Sequence, residues 1–346
     1  MLTAAIWGPG KWGQALVASV QGKSEFIRFK SAVTRSPQKY RHFADTHQLL
    51  ISDDHNSTLL DPQIEAIVIA TANSLHPEHA RQAALAGKHV FVEKPFGLNA
   101  ADAHRARIAC DQAGVTLAVG FNRRFRPAVK HLMAIATSGE LGSILHVEGQ
   151  FSGPTGLRMA TESWRGFEEE SPAGGMTARG IHILDLMIAL CGPVNRVFTI
   201  SERRSVAVTM QDTTFMLLQF NSGVTGYLGT LMATGEYWRI QIFGTNGWAE
   251  MRGEHCLVVS DLDGRETIHH YDKIDAERAE LEAFALATAG GRPFPVPLDD
   301  VIHGVAVFEA IVRSAKTNNW ENIISSIATG GKNIARGSTQ SGFPKT

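Results

Sequence analysis

Cysteine is scarce, neither sign of charge is in excess, and no apolar run is long enough to cross a bilayer. Each shortage removes a class of function. The three cysteines, Cys110, Cys191 and Cys256, are odd in number and far apart. They fit neither a disulfide framework nor a zinc-ligand spacing, and they point to a reducing, cytoplasmic setting. Lys and Arg total 33 against 34 Asp and Glu, a net charge of -1. That balance gives no electrostatic footprint for nucleic acid and no polybasic patch for a membrane surface. The most apolar helical stretch, Ile181 to Leu190, carries His182 and Asp185 and is too short for a membrane span. The chain is expected to enter its first strand at once, so no signal peptide is expected. No nucleophile-elbow, Walker or zinc motif is present, and His269-His270 alternate faces of a strand, so no metal set is expected.

Glycine is plentiful and well placed. Gly8-Pro9-Gly10-Lys11-Trp12-Gly13 follows the apolar run Ala4-Ala5-Ile6-Trp7 and opens a segment of helical period through Trp12, Ala15, Leu16, Ser19 and Val20. In a strand–turn–helix unit Gly8 allows the tight turn and Gly10 lets the backbone approach a pyrophosphate. Gly13 lets helix and strand pack closely, with the helix N-terminus facing the phosphates. Without a ligand the same residues would be a glycine-rich turn.

The 346 residues, 44% of them hydrophobic, are enough for two domains. Continuous apolar runs at Ala66–Ala70 and His89–Val92 read as strands buried on both faces of a parallel sheet. A helix capped by Asn99 and closed by Gly114 leads to a further strand ending near Gly120. Residues 1–121 are therefore expected to form a doubly wound, Rossmann-like α/β domain. A helix near Pro127–Thr137, a strand at Ile144–Ser152 and a long loop from Gly153 to Gly175 follow. After the helix around His182 come strands at Val197–Arg203, Thr213–Phe220, Val224–Met232, Arg239–Phe243, Ala249–Arg252, Cys256–Ser260 and Thr267–Tyr271. Two helices, near Glu277–Ala289 and Asp299–Lys316, finish the fold, and the tail from Gly337 is expected to be disordered. Residues 122–346 thus read as an α+β domain with a large, mostly antiparallel open sheet, for substrate binding and oligomerisation.

Lys94 directly follows a buried strand at the carboxyl edge of the parallel sheet, where open α/β sheets bind ligands. Desolvated there, it would exchange a proton with a substrate oxygen; on its own it could equally be a solvated turn residue. The order and spacing of four further elements carry a resemblance. They are Ala70-Thr71-Ala72-Asn73-Ser74-Leu75-His76, Gly87-Lys88-His89-Val90-Phe91-Val92-Glu93-Lys94-Pro95, Gly120-Phe121-Asn122-Arg123-Arg124-Phe125 and Gly180-Ile181-His182-Ile183-Leu184-Asp185. Together with the glycine turn they are similar to the glucose–fructose oxidoreductase / inositol dehydrogenase / MocA family of nicotinamide-dependent enzymes over nearly the whole chain.

The resemblance implies a dehydrogenase or reductase of small sugars, polyols, cyclitols or related acids, with Lys94 as acid/base and His182 as its partner. It also implies that Lys11, Trp12, Thr71, Asn73, His76, Glu93 and a cis Pro95 line the cofactor. Asn122, Arg123, Trp164, Arg165 and Arg179 are expected near the substrate. Glu93 would orient Lys94 or touch the cofactor, and Asp185 would be structural. Many members carry an aspartate four residues before the histidine; here Ala178 stands there, followed by Arg179. Two consequences stay open: a cationic pocket for a carboxylate-bearing substrate, or extra room for a bulkier neutral one. The residues after the second strand, Val33-Thr34-Arg35-Ser36, lack the carboxylate that holds the ribose of NAD. Thr34 and Arg35 would instead favour NADP(H), with NAD(H) possible, although Arg35 could be an exposed arginine without a role. A non-catalytic NAD(P)-binding redox sensor is the alternative to an enzyme, and a homodimer or homotetramer is the expected assembly.

Overall fold

The computed structural model describes residues 1–324; the tail expected from Gly337 lies outside them. The first half runs β1 (Leu2–Trp7), α1 (Lys11–Val20), β2 (Ile27–Val33), α2 (Arg41–Thr46), β3 (Leu50–Ser52), α3 (Asn56–Leu59), β4 (Ala66–Ile69), α4 (His76–Leu85), β5 (His89–Glu93), α5 (Ala100–Ala113) and β6 (Leu117–Gly120). It continues through α6 (Pro127–Ser138), β7 (Ile144–Ser152), α7 (Ile181–Cys191), β8 (Val194–Glu202), β9 (Thr213–Phe220), β10 (Thr225–Leu231), β11 (Tyr237–Gly244), β12 (Gly247–Arg252), β13 (Cys256–Asp261), β14 (Glu266–His270), α8 (Ala276–Thr288), α9 (Leu298–Thr317) and β15 (Glu321–Asn322).

Strands β1 to β6 make one parallel sheet in the order β3-β2-β1-β4-β5-β6. The order reverses between β1 and β4, so their carboxyl ends open a crevice at the turn after β1. Every residue of β1 and β4 is buried, as strands covered by helices on both faces require. The Asn99 side chain accepts from the Asp102 amide at the start of α5, and Gly114 ends that helix at φ +65°.

The second sheet has nine strands, β14-β13-β12-β11-β7-β10-β9-β8-β15, antiparallel throughout except for β7 beside β10. Alternation decides its faces. On β9, Thr214, Met216, Leu218 and Phe220 are buried, whereas Leu217 is 48% exposed. Apolar side chains thus stand on both faces of β9, and Phe215 stacks on Tyr227 at 5.9 Å on the open side.

Helix α8 departs from its place in the chain. Although it follows the second sheet, its Leu281, Phe284 and Ala285 join the core formed by β1, β2 and α1. Phe284 packs edge-on against Phe91 of β5 at 5.7 Å. The chain rhythm that assigns everything after residue 121 to one domain cannot reveal this return, because an amphipathic stripe does not name its partner. Among the described residues, no helix is long and apolar enough to cross a membrane.

Candidate active site

The turn after β1 is shaped by what its glycines lack. Gly8 has φ +89°, and a Cβ there would lie 2.7 Å from the carbonyl oxygen of Ala70. A Cβ on Gly13 would lie 2.3 Å from the Gly8 carbonyl oxygen. Both contacts are with backbone and cannot be relieved, so strand, turn and helix approach as closely as they do only with glycine. Gly10 is the N-cap of α1, has open space where a Cβ would point, and leaves the helix without a side-chain cap. The first-turn amides thus face an open crevice with the positive end of the helix dipole, a setting suited to a pyrophosphate. The residues present fit a dinucleotide.

From this turn a cleft of about 570 Å³ runs between the two sheets. Lys11, Trp12, Thr71, Asn73, His76, Glu93, Lys94, Pro95, Arg123, Arg165, Arg179 and His182, all singled out from sequence, line it. The Lys94–Pro95 peptide bond is cis. His76 is buried and ties the edge together: its Nδ1 lies 2.8 Å from the Pro95 carbonyl oxygen and its Nε2 3.2 Å from that of Thr71. Asn73 donates to the backbone carbonyl of Glu170, joining the first sheet to the long loop.

Lys94 leaves the end of β5 and donates to the Ala178 carbonyl oxygen at 2.9 Å. Ala178 sits in a π-type turn, Met176–Gly180, that leads into α7. The residue that lacks the aspartate side chain therefore still anchors the lysine through its backbone. Burial pushes the Lys94 ammonium down to about 8; Glu93 opposes this, while Arg123 and Arg165 add to it. The Glu93 carboxyl is raised to about 7, chiefly by burial and against the pull of Lys94. Behind it, Glu280 of α8 has no exposed surface, and neither of its carboxyl oxygens has a hydrogen-bond partner among the described residues. Burial, then Glu93 and Glu277, push its pKa well above the usual carboxylate range.

His182 is on the first turn of α7, 4% exposed, with its ring edge-on to Phe121 at 6.0 Å and its Nδ1 buried without a partner among the described residues. Burial first, then Arg123 and Lys94, hold its pKa well below the usual value, so the ring is neutral. A neutral imidazole beside an amine of pKa near 8 can hydrogen-bond a substrate oxygen while the amine gives or takes its proton.

Several expected contacts fall elsewhere. Asn122 is 1% exposed, donates to Glu277 at 2.8 Å and accepts from Arg123 at 2.8 Å. It braces the cleft from behind and does not line it. Trp164 also stands back from the lining and lies 4.4 Å under the Arg165 guanidinium. Arg124 is buried in a two-pronged pair with Asp185, Nε to Oδ2 and Nη2 to Oδ1 both at 2.7 Å. Arg179 reaches the cleft, but its guanidinium binds Glu236 at 2.7 Å and the Ser152 carbonyl at 2.9 Å. That pairing removes its charge from the cationic-pocket idea. Arg35 and Thr34 lie outside the cleft at the end of β2, with Arg35 exposed.

Sequence reasoning missed Phe151, Thr155, Met159, Met210, Met232 and Glu277, which also line the cleft. Phe151 carried a signal as the penultimate residue of a strand and Met232 as the last residue of the expected strand Val224–Met232; Met159 and Met210 come from irregular segments without periodicity.

Residues 2–121 match the oxidoreductase family with the NAD-binding Rossmann fold, GFO/IDH/MocA. Residues 129–250 match the C-terminal domain of the same family. A D-xylose 1-dehydrogenase (NADP(+)) of Haloferax volcanii is 28% identical over 279 residues, 76% of this chain and 82% of that protein. A myo-inositol 2-dehydrogenase of Thermotoga maritima is 29% identical over 264 residues, 71% of this chain and 76% of its own. The crystal structure of an oxidoreductase of Desulfitobacterium hafniense, assigned as NADPH-dependent, superposes with a TM-score of 0.86 at 25% identity, covering 93% of this chain and 97% of that one. The glycine turn, the two sheets and the matches at both ends of the cleft agree: this chain belongs to the GFO/IDH/MocA family of NAD(P)-dependent oxidoreductases.

Proposed function

We propose that the protein is a dehydrogenase or reductase that interconverts a secondary alcohol and a carbonyl on a small sugar-like, polyol or cyclitol compound. The observation that carries this reading is the convergence of Lys94, just after β5, and His182, on the first turn of α7, on one cleft below the glycine turn. When bound, the nicotinamide supplies or accepts the hydride. The chain's own work is proton handling: Lys94 Nζ takes the hydroxyl proton during oxidation and returns it during reduction. His182, held neutral, orients the same oxygen. The Ala178 carbonyl keeps Lys94 in place, which favours turnover over a redox sensor lacking catalysis. Assay of a panel of alcohols and carbonyls with both cofactors tests it; binding of cofactor without turnover of any member would favour the sensor.

The cofactor preferred is NADP(H). No carboxylate follows β2, and Arg35 is exposed there without an ion pair among the described residues. The Haloferax relative, named for NADP(+), supports the same choice. NADPH should bind more tightly than NADH, and Arg35→Ala should weaken NADPH by about tenfold or more, the scale of one hydrogen bond to a charged group. Quenching of tryptophan fluorescence reads both, since Trp12 lines the cleft. Equal losses for the two cofactors would remove Arg35 from the phosphate site.

The assembly is a homo-oligomer formed through the open face of the second sheet. Ile200 is 51% exposed there and pairs across strands with Phe215; Leu217, 48% exposed, lies between Phe198 and Tyr227. A contiguous apolar patch of this kind marks an interface. Light scattering at micromolar concentration should give a dimer or tetramer mass, and a monomer mass would refute it.

A further inference from the structure

Glu280 is a buried titratable group that the chemistry above leaves unused. Helix α8 carries it back to the first sheet, one turn after Glu277 and on the same helical face. It has no exposed surface, and both of its carboxyl oxygens lack a hydrogen-bond partner among the described residues. Glu93 Oε1 and Arg123 Nε are buried in the same condition. The charged groups that face Glu280 are Glu93 and Lys94 at the end of β5, Arg123 after β6, and Glu277 on its own helix. Buried polar atoms without partners are costly and uncommon, so several in one neighbourhood call for a function.

The backbone explains how these side chains meet. Glu93 is the last residue of β5 and pairs with Gly120 at the end of β6. A Cβ on Gly120 would lie 2.9 Å from Glu93 Oε1, so the glycine leaves the carboxyl room across the sheet edge. Two residues later Asn122 donates to Glu277 Oε1 at 2.8 Å, which fixes the first turn of α8 against that edge. On the other side Arg278 donates to the Ser19 carbonyl oxygen of α1, also at 2.8 Å.

The far end of the group opens on the surface. A second hollow lies between α1 and the start of α8, with Ser19, Asp275 and Glu277 in its lining and exposed Lys273 at its rim. Ala15 and Glu277 line both this hollow and the cleft. Glu277, half-buried, thus stands where the interior meets solvent behind the glycine turn.

Oxidation of an alcohol sends its hydride to the nicotinamide and its hydroxyl proton to Lys94 Nζ. That proton must reach water before the next turnover. Substrate and dinucleotide together fill the cleft that Lys94 lines, so this side gives no exit until product leaves.

We propose that Glu280 is a relay residue that, with Glu93 and Glu277, connects Lys94 to the solvent hollow between α1 and α8. In oxidation the Lys94 ammonium gives a proton to the Glu93 carboxylate. Glu280 receives a proton on one oxygen and passes one on from the other, and Glu277 releases one to water. Reduction runs the same transfers in reverse, and no electrons move through the relay. Carboxyl oxygens without fixed partners suit this, since each must donate at one moment and accept at the next. Burial brings Lys94 down to about 8 and Glu93 up to about 7, so passage between them is nearly level. The relay rests on the dehydrogenase reading for the proton it carries.

A stopped-flow first turnover tests it. The protein saturated with NADP+ or NAD+ is mixed with D-xylose, D-glucose or myo-inositol. Absorbance follows the reduced cofactor, and a pH-indicator dye follows released protons. In the wild type the proton should appear with the reduced cofactor, ahead of product. Glu280→Gln keeps the size of the side chain but cannot pass a proton on. It should leave cofactor affinity and the first formation of reduced cofactor unchanged, while proton release slows by about tenfold or more, to the rate of product release. Added formate, a small carboxylate able to enter the hollow, should restore much of that rate, which a structural defect would not show. Glu277→Gln, at the half-buried mouth, should give the same delay and decides the matter if Glu280→Gln fails to fold. A wild-type proton that leaves only with product, a variant that releases it undelayed, or a delay that formate does not relieve would each overturn the relay and leave the dehydrogenase reading standing. Turnover of none of the three alcohols with either cofactor would overturn both together.

Discussion

Replacing Lys94 by alanine should lower kcat by about a hundredfold or more, the usual scale for a positioned acid–base group. Cofactor affinity should change far less. Of the other lining groups Glu93, raised to about 7, is closest in pKa, and it is the weaker base of the two. His182 is neutral but has a pKa far below that of an alcohol's working base, and the Arg123 and Arg165 guanidinium groups do not release protons at ordinary pH. The wild-type pH profile carries the same signature. Lys94 must be neutral to accept a proton, so kcat/KM for oxidation should rise with pH and level off above about 8, the value to which burial lowers it. In the direction of reduction the protonated form is needed, and the rate should fall through the same region. Glu93, raised to about 7, loses its proton just below and then pulls Lys94 upward, so the two steps belong to the pair and broaden into each other. Near-normal turnover by Lys94→Ala, or an oxidation profile flat between 7 and 9 on either side of that value, would end Lys94's candidacy.

Asp185→Ala should cost about 3–5 kcal/mol of folding stability, the usual loss when one partner of a buried ion pair is removed. The Arg124 and Asp185 side chains are 3% and 5% exposed, and the pair joins the segment after β6 to helix α7. Truncation leaves the guanidinium buried with Asp300, at 3.5 Å, as its remaining ion-pair partner among the described residues. The double change Arg124→Met with Asp185→Leu should recover much of the loss, because an apolar pair of similar volume needs no solvation. Urea denaturation reads both. A loss under about 1 kcal/mol for Asp185→Ala, as for an exposed pair, would show that the junction does not depend on it.

How far the sequence reaches can be judged residue by residue. The glycine turn, Lys94 and His182 were legible because each belongs to a local pattern: a glycine between strand and helix, a lysine closing an apolar run, a histidine opening an apolar helix. The first sheet was legible for the same reason, since β4 and β5 are uninterrupted apolar runs. Arg124 was not. An arginine four residues beyond a strand reads as surface, and only Asp185, 61 residues later, makes its burial possible. Arg179 presented the opposite case, a cation that seemed free until Glu236, 57 residues away, took it up.

Taken alone, the amino-acid sequence determined the local items: where strands and helices form, which turn needs glycine, and which side chains could carry a proton. Those follow from periodicity and backbone sterics, which act over a few residues. Tertiary structure alone decided which charges survive and which surfaces meet. It returned α8 to the first core, buried Glu280 behind Glu93, cancelled Arg179 and Arg124, and gathered Met159, Met210 and Met232 from separate segments into one wall. The physical reason is that burial and ion pairing depend on distance in space, and no periodic signal records which distant residue will arrive.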